Sequence, residues 1–252
     1  MRPIIWLGVP VVLVAILAAV LALYRNSRIQ LSKSSKNLHV VLIGASIGQS
    51  WHLAEWPSRT RTPGFTAESI AAWQFDKTEA TEEVLLRPAV KFRPNRTYLK
   101  SLLQPPRPPD IVILKECSSY FPGDLPAYKE SVRSWVRRLQ DRRLKVVLAT
   151  VVPVTKSRAA QEPRKQEMLL DYNRWLREYA TKQTLPLVDL EAALRTETEG
   201  SYLREDFAAP DGSHLNPSAY AVLDRTLSAV LCAVTPPSVC RTAPARTATP
   251  LP

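Results

Sequence analysis

The sequence predicts an α/β protein: a mostly parallel β-sheet with helices over both faces. Three observations carry that expectation. Short apolar runs rich in β-branched residues stand at residues 38–43, 111–114, 145–154 and 185–190. Segments whose apolar residues recur at helical spacing fall between them and after them. Strand and helix therefore alternate, the order that builds parallel sheets covered on both sides. The length of 252 residues suits one such domain with terminal additions.

The elements follow in order. Residues 38–43 read LHVVLI, a buried strand, and lead straight into Gly44-Ala45-Ser46. A second strand is expected over 65–73. A helix over 78–86 opens on Thr78 with acidic residues in its first turns. Pro109-Asp110 precede the third strand at 111–114. Residues 124–139 fit an amphipathic helix with Pro126 near its start. The fourth strand is expected over 145–154, KVVLATVVPV. A long helix over 161–181 carries Met168, Leu169, Tyr172, Trp175, Leu176 and Tyr179 as a core stripe. The fifth strand is expected over 185–190. Asn216-Pro217, a cap residue followed by proline, opens a last helix reaching about residue 233.

Four segments are expected along the chain: an N-terminal membrane anchor at 1–25, a linker at 26–37, a globular domain at 38–234 and a Pro-rich tail at 235–252. Residues 4–24 contain no charge, and as a helix would span roughly 30 Å, the depth of a bilayer core. The run is long for a signal peptide, and no clear small-x-small cleavage site follows, which favours an uncleaved anchor. Two signals of orientation conflict. Arg25, Arg28, Lys33 and Lys36 follow the span and only Arg2 precedes it, which by charge count keeps the domain cytoplasmic. Cys232 and Cys240 flank Thr235-Pro236-Pro237 and can close a small disulfide loop, which needs an oxidising compartment. The reading adopted is a single-pass membrane protein with the domain on the extracytoplasmic face.

The net charge is +11, from 34 Lys and Arg against 23 Asp and Glu. It is spread along the chain, and the densest patch, residues 133–145, reads as an exposed helix face. No interleaving of aromatic and basic residues suggests a nucleic-acid platform. No cluster of His, Cys and Asp has metal-ligand spacing, and no cofactor is expected.

Two segments carry chemistry at strand ends, where parallel sheets place their ligands. Ser46 follows the first strand after Gly44, whose small size lets the chain turn sharply. A serine hydroxyl is a poor nucleophile until a base takes its proton, and histidine is the usual base. Of the three histidines, His39 lies inside a strand and His52 beside Trp51, leaving His214 as the best candidate. Asp211 stands three residues before it, in a loop just ahead of the capped helix, and can orient the imidazole. Cys117 is a weaker nucleophile candidate, with no second histidine well placed to activate it.

GASIG at 44–48 together with DGSHLN at 211–216 resembles the SGNH/GDSL hydrolase superfamily. The resemblance spans residues 38–233. It implies a three-layer α/β/α, flavodoxin-like fold with a five-stranded sheet, an acyl-ester substrate, and Ser46, His214 and Asp211 as nucleophile, base and orienting acid. Three positions depart from the family pattern. Ala45 stands where aspartate is typical. No glycine stands in the second block, which reads QFDKT at 74–78, and Gly64 comes too early. The third block reads Glu116-Cys117-Ser118-Ser119, with Ser118 where an oxyanion-binding asparagine is usual. Ser118 and Lys77 are candidate replacement donors, and Glu116 is a candidate substrate-facing carboxylate or a partner of Lys77 or Lys115. The leading expectation is an esterase acting on an O-acylated cell-envelope glycan or lipid. The alternatives are an O-acyltransferase and a non-catalytic binding domain.

Overall fold

The computed structural model describes residues 37–73, 76–87, 108–117, 124–197 and 201–240. The expected anchor and linker lie outside these residues. Among the described residues, no helix is long and apolar enough to cross a membrane.

Five parallel strands form one sheet: β1 (Leu38–Gly44), β2 (Phe65–Ala71), β3 (Ile111–Lys115), β4 (Lys145–Ala149) and β5 (Leu187–Val188), in the spatial order β2-β1-β3-β4-β5. The order reverses after β1, between β1 and β3, and a crevice opens there beyond the carboxyl ends of the strands.

Strands β1, β3 and β4 are buried along most of their length because both faces are covered. Val41, Ile43, Val112, Leu114, Val146 and Leu148 project to one face. There they meet α3 (Lys77–Leu86), α4 (Leu125–Asp141) and α6 (Pro163–Lys182) through residues such as Val84, Trp135, Tyr172 and Leu176. Val40, Leu42, Ile111, Ile113 and Val147 project to the other. That face is closed by α1 (Ser46–Ser50), α2 (Trp56–Arg59), α7 (Leu190–Leu194) and α8 (Pro217–Val234). The result is the three-layer arrangement expected from the sequence. A short α5 (Lys156–Gln161) precedes α6, and one turn, α9 (Pro237–Cys240), closes the described chain.

Several boundaries differ from expectation for local reasons. β2 stops at Ala71, two residues short, which frees Trp73 to project from the sheet end. β4 leaves the ladder after Ala149 rather than running to residue 154. Beyond it, the Asn173 side chain takes over the backbone of Val151, accepting from its N–H at 2.8 Å and donating to its carbonyl at 2.9 Å. The long helix starts at Pro163 rather than at residue 161, because a proline suits the first turn, where no hydrogen-bond donor is needed, and a separate short helix that was not expected precedes it. β5 pairs over two residues only, since Leu190 already belongs to α7.

The domain also extends past residue 234. Cys232 and Cys240 form a disulfide, with Cα atoms 5.6 Å apart, and Val239 is buried against the core. Gly64 receives this turn: a Cβ there would stand 2.2 Å from the Val239 carbonyl oxygen. Residues 235–240, expected as the start of the tail, thus pack onto the domain, and Gly64 has a packing role before β2.

Asn173 also donates to Glu191 Oε2 at 2.7 Å, and Arg177 joins Asp189 and Glu191 at 2.8 Å each. This buried amide ties β4, α6 and α7 together at the crevice. Asn173→Ala leaves the Val151 N–H and C=O without partners in a buried place and is expected to destabilise the domain by about 2–4 kcal/mol. Urea unfolding checks this; a change below about 1 kcal/mol contradicts the proposed role of the amide.

Candidate active site

Ser46 begins α1 directly after β1, and the turn is tight because Gly44 and Gly48 pack against the Leu42 side chain. Asp211 to His214 lie on the loop leading into α8. That loop is held from both sides: Thr155 N–H donates to the Gly212 carbonyl at 2.9 Å, and Ala209 N–H to the His214 carbonyl at 2.9 Å. Asn216 caps α8, accepting from Ala219 N–H at 3.1 Å as its sequence position predicted.

These two segments, 168 residues apart, meet. His214 Nε2 stands 3.1 Å from Ser46 Oγ. His214 Nδ1 is in a close hydrogen bond with Asp211 Oδ2. The other carboxylate oxygen accepts from the backbone N–H groups of Ser213 at 3.0 Å and His214 at 2.9 Å. Partial burial works to raise the Asp211 pKa. The hydrogen bond and charge of the His214 ring, with the two backbone N–H groups, outweigh it and hold the carboxyl at about 2. The carboxylate is thus charged at neutral pH, and its stabilising contribution is complete above the ordinary value of 3.8 and is lost as pH falls from there through about 2. An ionised carboxylate on Nδ1 fixes the proton there and leaves Nε2 to accept from a hydroxyl.

The serine and histidine open onto a cleft of about 380 Å³ lined also by Ile47, Trp73, Lys115, Glu116, Cys117, Val151, Val152, Arg158 and Lys165. The sequence-predicted residues divide here. Ser46, His214 and Asp211 converge. Glu116 reaches the cleft wall but is 1% exposed, and its carboxylate is taken by Lys77 Nζ at 2.7 Å and by the Tyr128 hydroxyl. Lys77 is fully buried and is not among the cleft-lining residues; its ammonium also bonds the Lys115 carbonyl. The structure therefore corrects its expected place as an oxyanion donor, because Glu116 and the carbonyl enclose it. Burial pushes its pKa down, against the pull of Glu116. Ser118 lies outside the described residues. Cys117, outside any disulfide, is half-buried in the wall.

Trp73, Lys115, Arg158 and Lys165 were not singled out for the site from sequence. Lys115 alone carried a signal, as a charge ending a buried strand. Arg158 sits on the short helix α5, which was not expected, and Lys165 on the first turn of α6. Among the described residues, no group of three or more His, Cys, Asp or Glu side chains could hold a metal ion.

Gly212 is a sensitive hinge of the loop. Its φ is +70°, and a Cβ there would stand 2.5 Å from Thr155 Oγ1. Gly212→Ala is expected to cost about 1–3 kcal/mol and to shift His214 away from Ser46. Activity that falls at least tenfold, in a protein still folded by circular dichroism, is the expected outcome.

A doubly wound sheet with Ser, His and Asp at the carboxyl ends of its strands has the architecture of an α/β hydrolase of the SGNH kind. The profile of the GDSL-like Lipase/Acylhydrolase family matches residues 42–222, more than half of the chain, and the protein belongs to that family. Solved structures share the fold. A GDSL-like lipase from Bacteroides thetaiotaomicron aligns with TM-score 0.58 at 15% identity, over 81% of this chain and 91% of its own. A member of the lipolytic G-D-S-L family from Veillonella parvula aligns with TM-score 0.54 at 11% identity, over 77% and 97%. An acetyl xylan esterase aligns with TM-score 0.51 at 18% identity, over 77% and 100%. No curated protein matches the sequence.

Proposed function

We propose that the protein is a serine esterase in which Ser46 attacks an acyl ester, His214 serves as general base and then acid, and Asp211 holds the imidazole. One observation carries this reading: the continuous relay from Ser46 Oγ through His214, at 3.1 Å, to an ionised Asp211. The Ser46 proton passes to Nε2 as Oγ adds to the ester carbonyl. The imidazolium then protonates the departing alcohol, and water attacks the acyl-enzyme by the same route. Backbone N–H groups at the start of α1 supply donors for the oxyanion, since the first turn of a helix leaves such groups without intrahelical partners.

The substrate reading is an O-acylated glycan or lipid of the cell envelope. It is supported by the uncharged run at residues 4–24, read as a membrane anchor, and by the fold shared with an acetyl xylan esterase. The Cys232–Cys240 disulfide favours an oxidising compartment, and with it the extracytoplasmic face.

A fluorophosphonate probe tests the central claim. Wild type is expected to label on Ser46 and Ser46→Ala to remain unlabelled. A well-folded wild type that takes no label contradicts the esterase reading and returns the domain to a binding role.

A further inference from the structure

Lys115 ends β3 beside the turn that carries Ser46, and it is 1% exposed. Its stem runs past that turn: a Cβ on Gly44 would stand 3.5 Å from Lys115 Cβ, and one on Gly48 would stand 3.9 Å from Lys115 Cδ. Lys115 is one of the residues bordering the cleft of Ser46 and His214. Its ammonium has three donors, and one acceptor engages it, the Glu116 carbonyl at 3.0 Å. Among the described residues, no carboxylate lies within ion-pair distance of it. Glu116 is committed to Lys77 and Tyr128, and Asp211 to His214. Two further cations of the cleft, Arg158 and Lys165, share a single carboxylate, Glu162.

Burial pushes the Lys115 pKa down to about 8, with Lys77 adding repulsion and Cys117 and Glu116 opposing the shift. The group still carries its proton in most molecules at neutral pH. A buried charge is tolerated when paired and hydrogen-bonded, and here the pairing is incomplete. A neutral ester would leave it so. A negative charge brought by the substrate would complete it, in a setting where charge-assisted hydrogen bonds are strong.

We propose that Lys115 makes the cleft selective for acyl esters bearing an anionic group, a carboxylate or a phosphate, close to the ester bond. This rests on the serine-esterase reading of the site, and Lys115 is then its specificity-determining residue. Arg158 and Lys165 extend the same preference to the rim.

Three matched acetate esters test it: acetoxyacetate, 2-acetoxyethyl phosphate and the neutral acetoxyacetamide. At least one anionic ester is expected to exceed the neutral one in kcat/KM by roughly tenfold or more, a free-energy difference of about 1.4 kcal/mol. Which one does so distinguishes carboxylate from phosphate. Lys115→Met is expected to bring that ratio down towards one, and Lys115→Arg to retain it in large part. A wild-type ratio of one or below for both anionic esters overturns the proposal, as does an unchanged ratio in folded Lys115→Met.

If none of the esters is turned over, the esterase reading fails separately. Calorimetric binding of N-acetylglycine and N-acetyl-O-phosphoethanolamine against N-acetylglycinamide then decides the anion preference alone. Tighter binding of an anionic amide supports it, and equal affinities overturn it.

Discussion

Ser46→Ala is expected to lower kcat/KM for an activated ester by roughly 10³-fold or more, and His214→Ala by a similar factor. The reason is geometric. Nε2 lies within hydrogen-bond reach of Oγ at 3.1 Å, so each residue is of little use without the other. The double variant should therefore lose scarcely more than either single one. Asp211→Asn should cost somewhat less, because backbone contacts still hold the loop while the imidazole loses its anionic partner. Steady-state kinetics on the four proteins decides this. Losses of Ser46→Ala and His214→Ala that multiply in the double variant would show that the two act independently.

Glu116→Ala is expected to destabilise the fold by about 3–5 kcal/mol. The substitution leaves the Lys77 ammonium, which has no exposed surface, without the carboxylate 2.7 Å away. The Tyr128 hydroxyl loses its acceptor as well. The damage comes from stranding one charge, not from losing a favourable pair. The double variant Lys77→Met with Glu116→Leu should therefore recover most of the loss. Denaturant unfolding of the three proteins measures both effects. A Glu116→Ala protein within about 1 kcal/mol of wild type would show that water or the Lys115 carbonyl suffices for Lys77.

The convergence of Ser46, His214 and Asp211 was legible in the sequence for a local reason and a topological one. Asp211 and His214 stand three residues apart, so one turn of loop brings carboxylate and imidazole together. Ser46 follows a strand that the β-branched run Val40 to Ile43 marks as central. Parallel sheets bring such strand ends to one edge, which is where the last loop also returns. The altered oxyanion blocks were legible only as departures. Which side chains replace the usual donors depended on facing, and there the expectation for Lys77 failed.

By itself, the sequence determined the layered parallel architecture, the two segments that meet at Ser46 and His214, and the two cysteines able to pair. Those follow from periodicity, from capping residues and from short-range spacing, which are properties of neighbouring positions. The tertiary structure decided where each strand leaves the ladder, that a short helix precedes the one starting at Pro163, and that Lys115, not Lys77, borders the cleft. Lys115 and Glu116 are adjacent in the chain, yet their side chains leave the strand end in different directions, as successive residues of a β-strand do. One lies along the turn of Ser46, and the other turns to Lys77 and Tyr128 on α3 and α4. Alternation is visible in a sequence, but the side of the sheet that holds Ser46 is fixed only when the helices have packed.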